Sequence, residues 1–147
     1  MIRAVWKTYL DAQEDIAAVR GACGADVYEP ADDDTLHVVA YEGGKAVAAG
    51  RVKLEGERAD IDGICAIPGE ISEATCDLVI RMLCSGAVKS GCIHIAITAG
   101  LELEKLILPL GFIRAGEARS GKADVNMGYY AARAETVTFS TCKSRGN

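Results

Sequence analysis

The stretch from Ala59 to Ala87, ADIDGICAIPGEISEATCDLVIRMLCSGA, decides how the chain folds. It reads as a strand ending at Ile67, a turn opened by Pro68 and Gly69, and an amphipathic helix from Ser72 to Ser90. Within that helix Cys76, Val79, Ile80, Leu83 and Ala87 recur at helical spacing and form one apolar face. Asp77, Arg81, Ser85 and Lys89 form a polar line on another, where an Asp77–Arg81 pair contributes about 0.3 kcal/mol. Ser72 is placed to cap the helix and Gly91 to close it. A strand that runs into a helix start leaves backbone N–H groups unpaired at the positive end of a dipole, which is how proteins hold anions.

Toward the N-terminus the same periodicities continue. Ile2 to Leu10 alternates as a first strand, and Asp11 with Glu14 reads as a capping box opening a helix through Ala12, Ile16 and Val19. Gly21 or Gly24 ends that helix. The segment Tyr28–Thr35, YEPADDDT, reads as a solvated acidic turn, without the ligand spacing of a calcium loop. Leu36–Tyr41 and Lys45–Leu54 flank Glu42, Gly43 and Gly44 and form a hairpin. Beyond the central helix, Cys92–Thr98 reads as a strand, with His94 as a core or partly buried histidine. Leu101–Leu108 reads as a short helix stopped by Pro109 and Gly111. Phe112–Gly116 and Ala123–Tyr130 form a last pair of strands, and residues from about 134 form a short flexible tail. The order is β-α-β-β-β-α-β-α-β-β, in a single domain spanning 1–147.

Composition limits the function classes. The 147 residues are 50% hydrophobic and carry a net charge of −5, with no basic run to meet nucleic acid. No segment is long and apolar enough to span a membrane, and the N-terminus lacks a signal-peptide core, so a cytoplasmic location is expected. The six cysteines form no Cys-x-x-Cys pair and no zinc spacing with His37 or His94. Cys65, Cys84 and Cys92 read as small buried hydrophobes. Cys76 falls near a helix start, where a thiolate would be stabilised, and Cys142 lies in the polar tail; a redox role for either is the lesser reading.

The run from Ile67-Pro68 into Asp77-Leu78-Val79-Ile80-Arg81-Met82-Leu83, followed by the strand Ile93–Thr98, a short helix and Leu110-Gly111-Phe112, resembles the GNAT superfamily of acyl-CoA N-acetyltransferases. The resemblance covers essentially the whole chain, and Gly50 matches a position that is small in the family. It implies an α/β fold with a mixed, mostly antiparallel central sheet and helices on both faces. It further implies acetyl-CoA as co-substrate and a small-molecule or peptide amine as acceptor, with a homodimer as a common assembly. By the same resemblance the pantetheine arm would follow Ile64, Cys65, Ala66 and Ile67. The pyrophosphate would sit over Ser72, Glu73, Ala74, Thr75, Cys76 and Asp77. Asp60 and Asp62 are then the general-base candidates, with solvent-facing strand residues as the alternative reading.

The sequence departs from the family pattern where chemistry is concentrated. Ile71 stands at an Arg or Gln position, and Ser72, Ala74 and Cys76 stand where glycines are usual. Glu70 and Glu73 add negative charge; a glutamate about 5 Å from a phosphate costs roughly 1 kcal/mol even with water-like screening. Ile107 stands at the position of the acid tyrosine, and Leu106 at that of the preceding phenylalanine. Tyr41, Tyr129 or Tyr130 would have to supply a displaced acid. The alternative function is a catalytically degenerate module for ligand binding or protein interaction. A third reading, a thiol sensor at Cys76, predicts a depressed thiol pKa.

Overall fold

The computed structural model describes residues 1–119 and 126–139, so Cys142 and the expected strand start at 123–125 lie outside the described residues. The chain runs β1 (Ile2–Lys7), α1 (Tyr9–Ala22), a 3-10 helix (Pro30–Asp34), β2 (Leu36–Glu42), β3 (Lys45–Glu55), β4 (Arg58–Ala66) and α2 (Ser72–Lys89). It continues with β5 (His94–Gly100), α3 (Glu104–Ile107) between single 3-10 turns, β6 (Ile113–Arg119), β7 (Asn126–Arg133) and a 3-10 turn at Ala134–Thr136. The strands form one sheet in the order β1-β2-β3-β4-β5-β7-β6. Every described pairing is antiparallel except β4–β5, which α2 joins as a parallel crossover. This is the mixed, mostly antiparallel sheet expected from the sequence.

Two clusters hold the layers. On one face Val79, Ile80, Leu83 and Ala87 of α2 pack with Val38, Val52, Ile61, Ile95 and Ile97 from the strands. On the other, Ala12, Ile16 and Val19 of α1 pack with Val39, Tyr41 and Ala49. The apolar stripes of both helices are therefore the buried ones. Gly50 shows how closely α2 lies on the sheet. A Cβ built there would meet Leu83 and Val79, each at 2.8 Å. At the outer end of α2, a Cβ on Gly86 would run into the Trp6 ring.

Several boundaries differ from those the sequence implies. Thr8, not Asp11, caps α1: its hydroxyl accepts from the Asp11 amide at 3.2 Å. Ile71 with non-helical backbone, not Ser72, precedes α2, and the Ser72 hydroxyl instead donates to the Gly69 carbonyl at 2.9 Å. His94 is exposed, because it opens its strand at the sheet end. The segment 134–139, expected as the start of a flexible tail, is packed instead: Ala134, Val137 and Phe139 lie on the core, and the Thr138 amide donates to the Leu110 carbonyl at 2.9 Å.

The acidic turn is the largest correction. Asp32 is fully buried, at 0% exposure. Arg20 grips it with two hydrogen bonds, at 2.7 and 2.8 Å, and Arg51 adds a third at 2.7 Å. Arg51 also holds Asp62, through Nε at 2.7 Å and Nη2 at 3.1 Å. Burial alone would raise the Asp32 carboxyl. The hydrogen bonds from Arg20, the Glu29 amide and Arg51 outweigh it and hold the group well below the usual carboxylate range. An Asp-rich turn reads as solvated when its charges are counted alone; Asp32 is buried because two arginines on separate elements converge on it.

Candidate functional site

The site follows from how β4 and β5 part. They pair over Arg58–Ile61 with His94–Ile97 and then diverge. Beyond that point the edge of β4 facing β5 carries no ladder among the described residues, although its other edge stays paired to β3 as far as Ala66. Among the described residues the opposing edge of β5 is likewise open from Thr98, while its far edge pairs with β7 as far as Gly100. Backbone donors and acceptors left open along two facing strands are a template for an extended ligand.

A bulge shapes the open edge. Opposite β4 the register shifts between Ala49 and Arg51, and Gly63 adopts φ 64. Glycine tolerates this left-handed backbone, and the extra residue reverses which side chains face which layer. Ala59 and Ile61 belong to the α2-side core, as do Ile64 and Ala66, whereas Cys65 packs on the α1 side. The isolated glycine in a strand pattern is the sequence signal for this bulge.

Between the parting strands lies a cavity of about 510 Å³. Its walls come from Ile64–Ala66 of β4, from Ser72, Glu73 and Cys76 of α2, and from Cys23 and Ala25 after α1. Gly100, Glu102, Leu103 and Lys105 close it from the β5–α3 side, with Met127 of β7. Of the residues expected to hold a co-substrate, Ile64, Cys65, Ala66, Ser72, Glu73 and Cys76 therefore line one cavity. Ile67 does not; its amide donates to the Val47 carbonyl at 2.8 Å. Thr75 is buried, with its hydroxyl turned back on the Ile71 carbonyl at 3.0 Å, and Asp77 pairs with Arg81 at 3.1 Å. Ala74 is exposed on the first turn of α2.

That first turn keeps part of its anion-binding capacity. The Ser72 amide bonds to the Gly69 carbonyl and the Thr75 amide to the Ile71 carbonyl. The Glu73 and Ala74 amides make no hydrogen bond among the described residues, as the first turn of a helix leaves them. The repulsion expected from Glu73 is also reduced, because Lys105 reaches its carboxylate at 2.8 Å. Lys105 and Glu102 lie outside the residues expected from the sequence. The signal was present: parallel neighbours end at the same edge of a sheet, so the residues after β5 must meet those after β4.

The acid and base candidates fall elsewhere. Asp60 pairs with Arg58 at 2.9 Å and Asp62 with Arg51, and neither lines the cavity. The Tyr129 hydroxyl accepts from Arg58 at 2.7 Å. Tyr41 and Tyr130 are buried and donate to Asp15 and Glu104; burial and those carboxylates push both phenols up to about 12. None of the three tyrosines lines the cavity, and Ile107 is a fully buried core residue. Among the described residues Glu102 is the cavity carboxylate that forms no ion pair or hydrogen bond. Cys76 does not match a thiol sensor: it turns into the core one turn past the helix start, and burial pushes its thiol up to about 11.

No protein-family model matches the sequence, and no curated protein matches it. Solved structures do. An N-acetyltransferase from Staphylococcus aureus Mu50 superposes with a TM-score of 0.72 at 10% identity, over 92% of this chain and 99% of that one. The ribosomal-protein-S18-alanine N-acetyltransferase from Escherichia coli gives 0.71 at 13% identity, over 91% and 94%. The aminoglycoside 6'-N-acetyltransferase from Enterococcus faecium gives 0.67 at 9% identity, over 91% and 97%. At these identities the likeness establishes the fold: the chain has the architecture of the GNAT N-acetyltransferases. No helix among the described residues is long and apolar enough to cross a membrane.

Proposed function

We propose that this chain, which has the GNAT fold, binds acetyl-CoA between β4 and β5 and transfers its acetyl group to an amine. The observation that carries the reading is the pair of facing strand edges left open beyond Ile61 and Ile97, ending at a helix whose first turn has open amides. The pantetheine amides would complete the ladder along Ile64–Ala66. The pyrophosphate would rest on the Glu73 and Ala74 amides, with Lys105 as the nearby cation. The small residues Ser72 and Ala74 allow this approach where relatives of the motif carry glycines.

In transfer, the amine nitrogen attacks the thioester carbonyl carbon and the carbon–sulfur bond breaks. CoA leaves as a thiolate and takes up a proton, and the nitrogen loses one. A thiolate leaves readily near neutral pH, so a nearby phenol is not required. Glu102 is the proton acceptor that the cavity supplies in place of Asp60 and Asp62. The acceptors named for the similar structures range from an alanine of ribosomal protein S18 to aminoglycosides, and a small-molecule or peptide amine remains the proposed class here. The test is CoA thiol release from acetyl-CoA with a panel of small-molecule and peptide amines. Glu102→Gln is expected to lower kcat by about 100-fold or more while leaving acetyl-CoA affinity unchanged, in the range typical of a lost general base. An unchanged kcat would remove Glu102 from the chemistry.

A second reading, binding without transfer, is favoured by one observation: among the described residues no tyrosine or histidine lines the cavity. It predicts acetyl-CoA binding with no thiol release for any amine.

A further inference from the structure

Three cysteines line the cavity: Cys23, Cys65 and Cys76. Cys23 caps the end of α1, and its thiol donates to the Ala66 carbonyl at 3.0 Å. That bond seats the end of α1 against β4 at the residue after Cys65, and Cys23 and Cys65 share the α1-side cluster and the same cavity wall. Both are only partly buried. They come together because the Gly63 bulge turns Cys65 toward α1 rather than toward the α2 core.

We propose that Cys23 and Cys65 form a reversible dithiol–disulfide site in the wall of the cavity, oxidised by a small-molecule disulfide such as oxidised glutathione. The Cys23 thiolate attacks one sulfur of the oxidant. The sulfur–sulfur bond breaks, one glutathione leaves and takes up a proton, and a mixed disulfide remains on Cys23. Cys65 loses its proton to solvent and attacks the Cys23 sulfur, releasing the second glutathione as a thiol. Two protein thiols are oxidised and one disulfide is reduced to two thiols, and excess reduced thiol reverses both steps. The neighbouring groups favour this order. The Cys65 hydrogen bond lowers the Cys23 thiol against its burial, while the same bond and burial raise Cys65. Burial raises Cys76, Cys84 and Cys92, which makes them poor competitors.

The bond would tie the end of α1 to β4 on the wall that a pantetheine arm follows. This consequence rests on the proposed function; the disulfide does not. The test incubates the reduced protein with oxidised glutathione, alkylates the remaining thiols and maps the peptides by mass spectrometry. The expected result is the loss of two alkylatable thiols, a peptide joining Cys23 to Cys65, and full reversal by dithiothreitol. Cys65→Ser is expected to stop at a single glutathione adduct on Cys23, and Cys23→Ser to leave Cys65 unmodified. A link through Cys76 or Cys142, or retention of every thiol, overturns the proposal on the native protein alone. Calorimetry with CoA separates the two claims. Binding by the reduced form and none by the oxidised form supports the consequence for the cavity. Equal binding by both forms contradicts that consequence. No binding by either, with the cross-link present, counts against the proposed function and not against the disulfide.

Discussion

Asp32→Ala is expected to lower the free energy of unfolding by about 3–5 kcal/mol, the cost typical of breaking a buried ion pair by removing one partner. Arg20 is 3% exposed and Arg51 is 6% exposed. Without Asp32, Arg20 is left in the interior with no described carboxylate, and Arg51 keeps only its half-exposed partners Glu29 and Asp62. A surface ion pair would cost about 0–1 kcal/mol instead. Urea unfolding followed by circular dichroism distinguishes the two. A loss below about 1 kcal/mol would mean that the turn is solvated after all.

The same network sets an acid dependence. The Asp32 carboxyl titrates lower in the folded chain than its unfolded value of about 3.9. The unfolded state therefore takes up the proton first as pH falls, and the stability that Asp32 contributes is lost below about pH 4. His37 is buried and its ring titrates low, chiefly because of burial, so it resists charging and stability begins to fall below about pH 6.5. Both groups act in one direction. Asp32→Ala is expected to remove the steeper part of the loss below pH 4 and to leave the part due to His37.

Much of the scaffold was legible because it rests on local periodicity. The stripe Cys76, Val79, Ile80, Leu83 and Ala87 is the buried face of α2, and Gly50 is small because α2 lies against it. What escaped depends on residues distant in sequence. Asp32 looks like surface until Arg20 and Arg51 are brought to it. Asp60 and Asp62 look like catalytic carboxylates until Arg58 and Arg51 are seen holding them. Cys65 looks like core until the bulge at Gly63 reverses the alternation of β4. Glu102 and Lys105 belong to the site because two parallel strands end together, a property of the sheet rather than of either strand.

Ala74→Glu is expected to weaken acetyl-CoA binding by about 200-fold. A second negative charge about 5 Å from the pyrophosphate, at an effective dielectric of about 20, costs about 3 kcal/mol, and each 1.4 kcal/mol is tenfold. Ala74 is exposed, so no packing is lost. A glutamate in the first turn also interacts favourably with the helix dipole, by about 0.3–1 kcal/mol. Stability should therefore hold or rise while affinity collapses. Calorimetry and thermal unfolding of the same variant check both halves. A fall in affinity matched by a fall in stability would point to a damaged fold, and unchanged affinity would place the pyrophosphate elsewhere.

In the proposed function the open edges of β4 and β5 and the first turn of α2 hold a CoA molecule. Backbone amide shifts recorded by nuclear magnetic resonance during a CoA titration test it directly. Saturable changes are expected at micromolar ligand, concentrated at the amides of Ile64, Cys65, Ala66, Glu73 and Ala74. Changes confined to another surface, such as the hollow between Arg58 and Tyr129, or none at millimolar CoA, would contradict it.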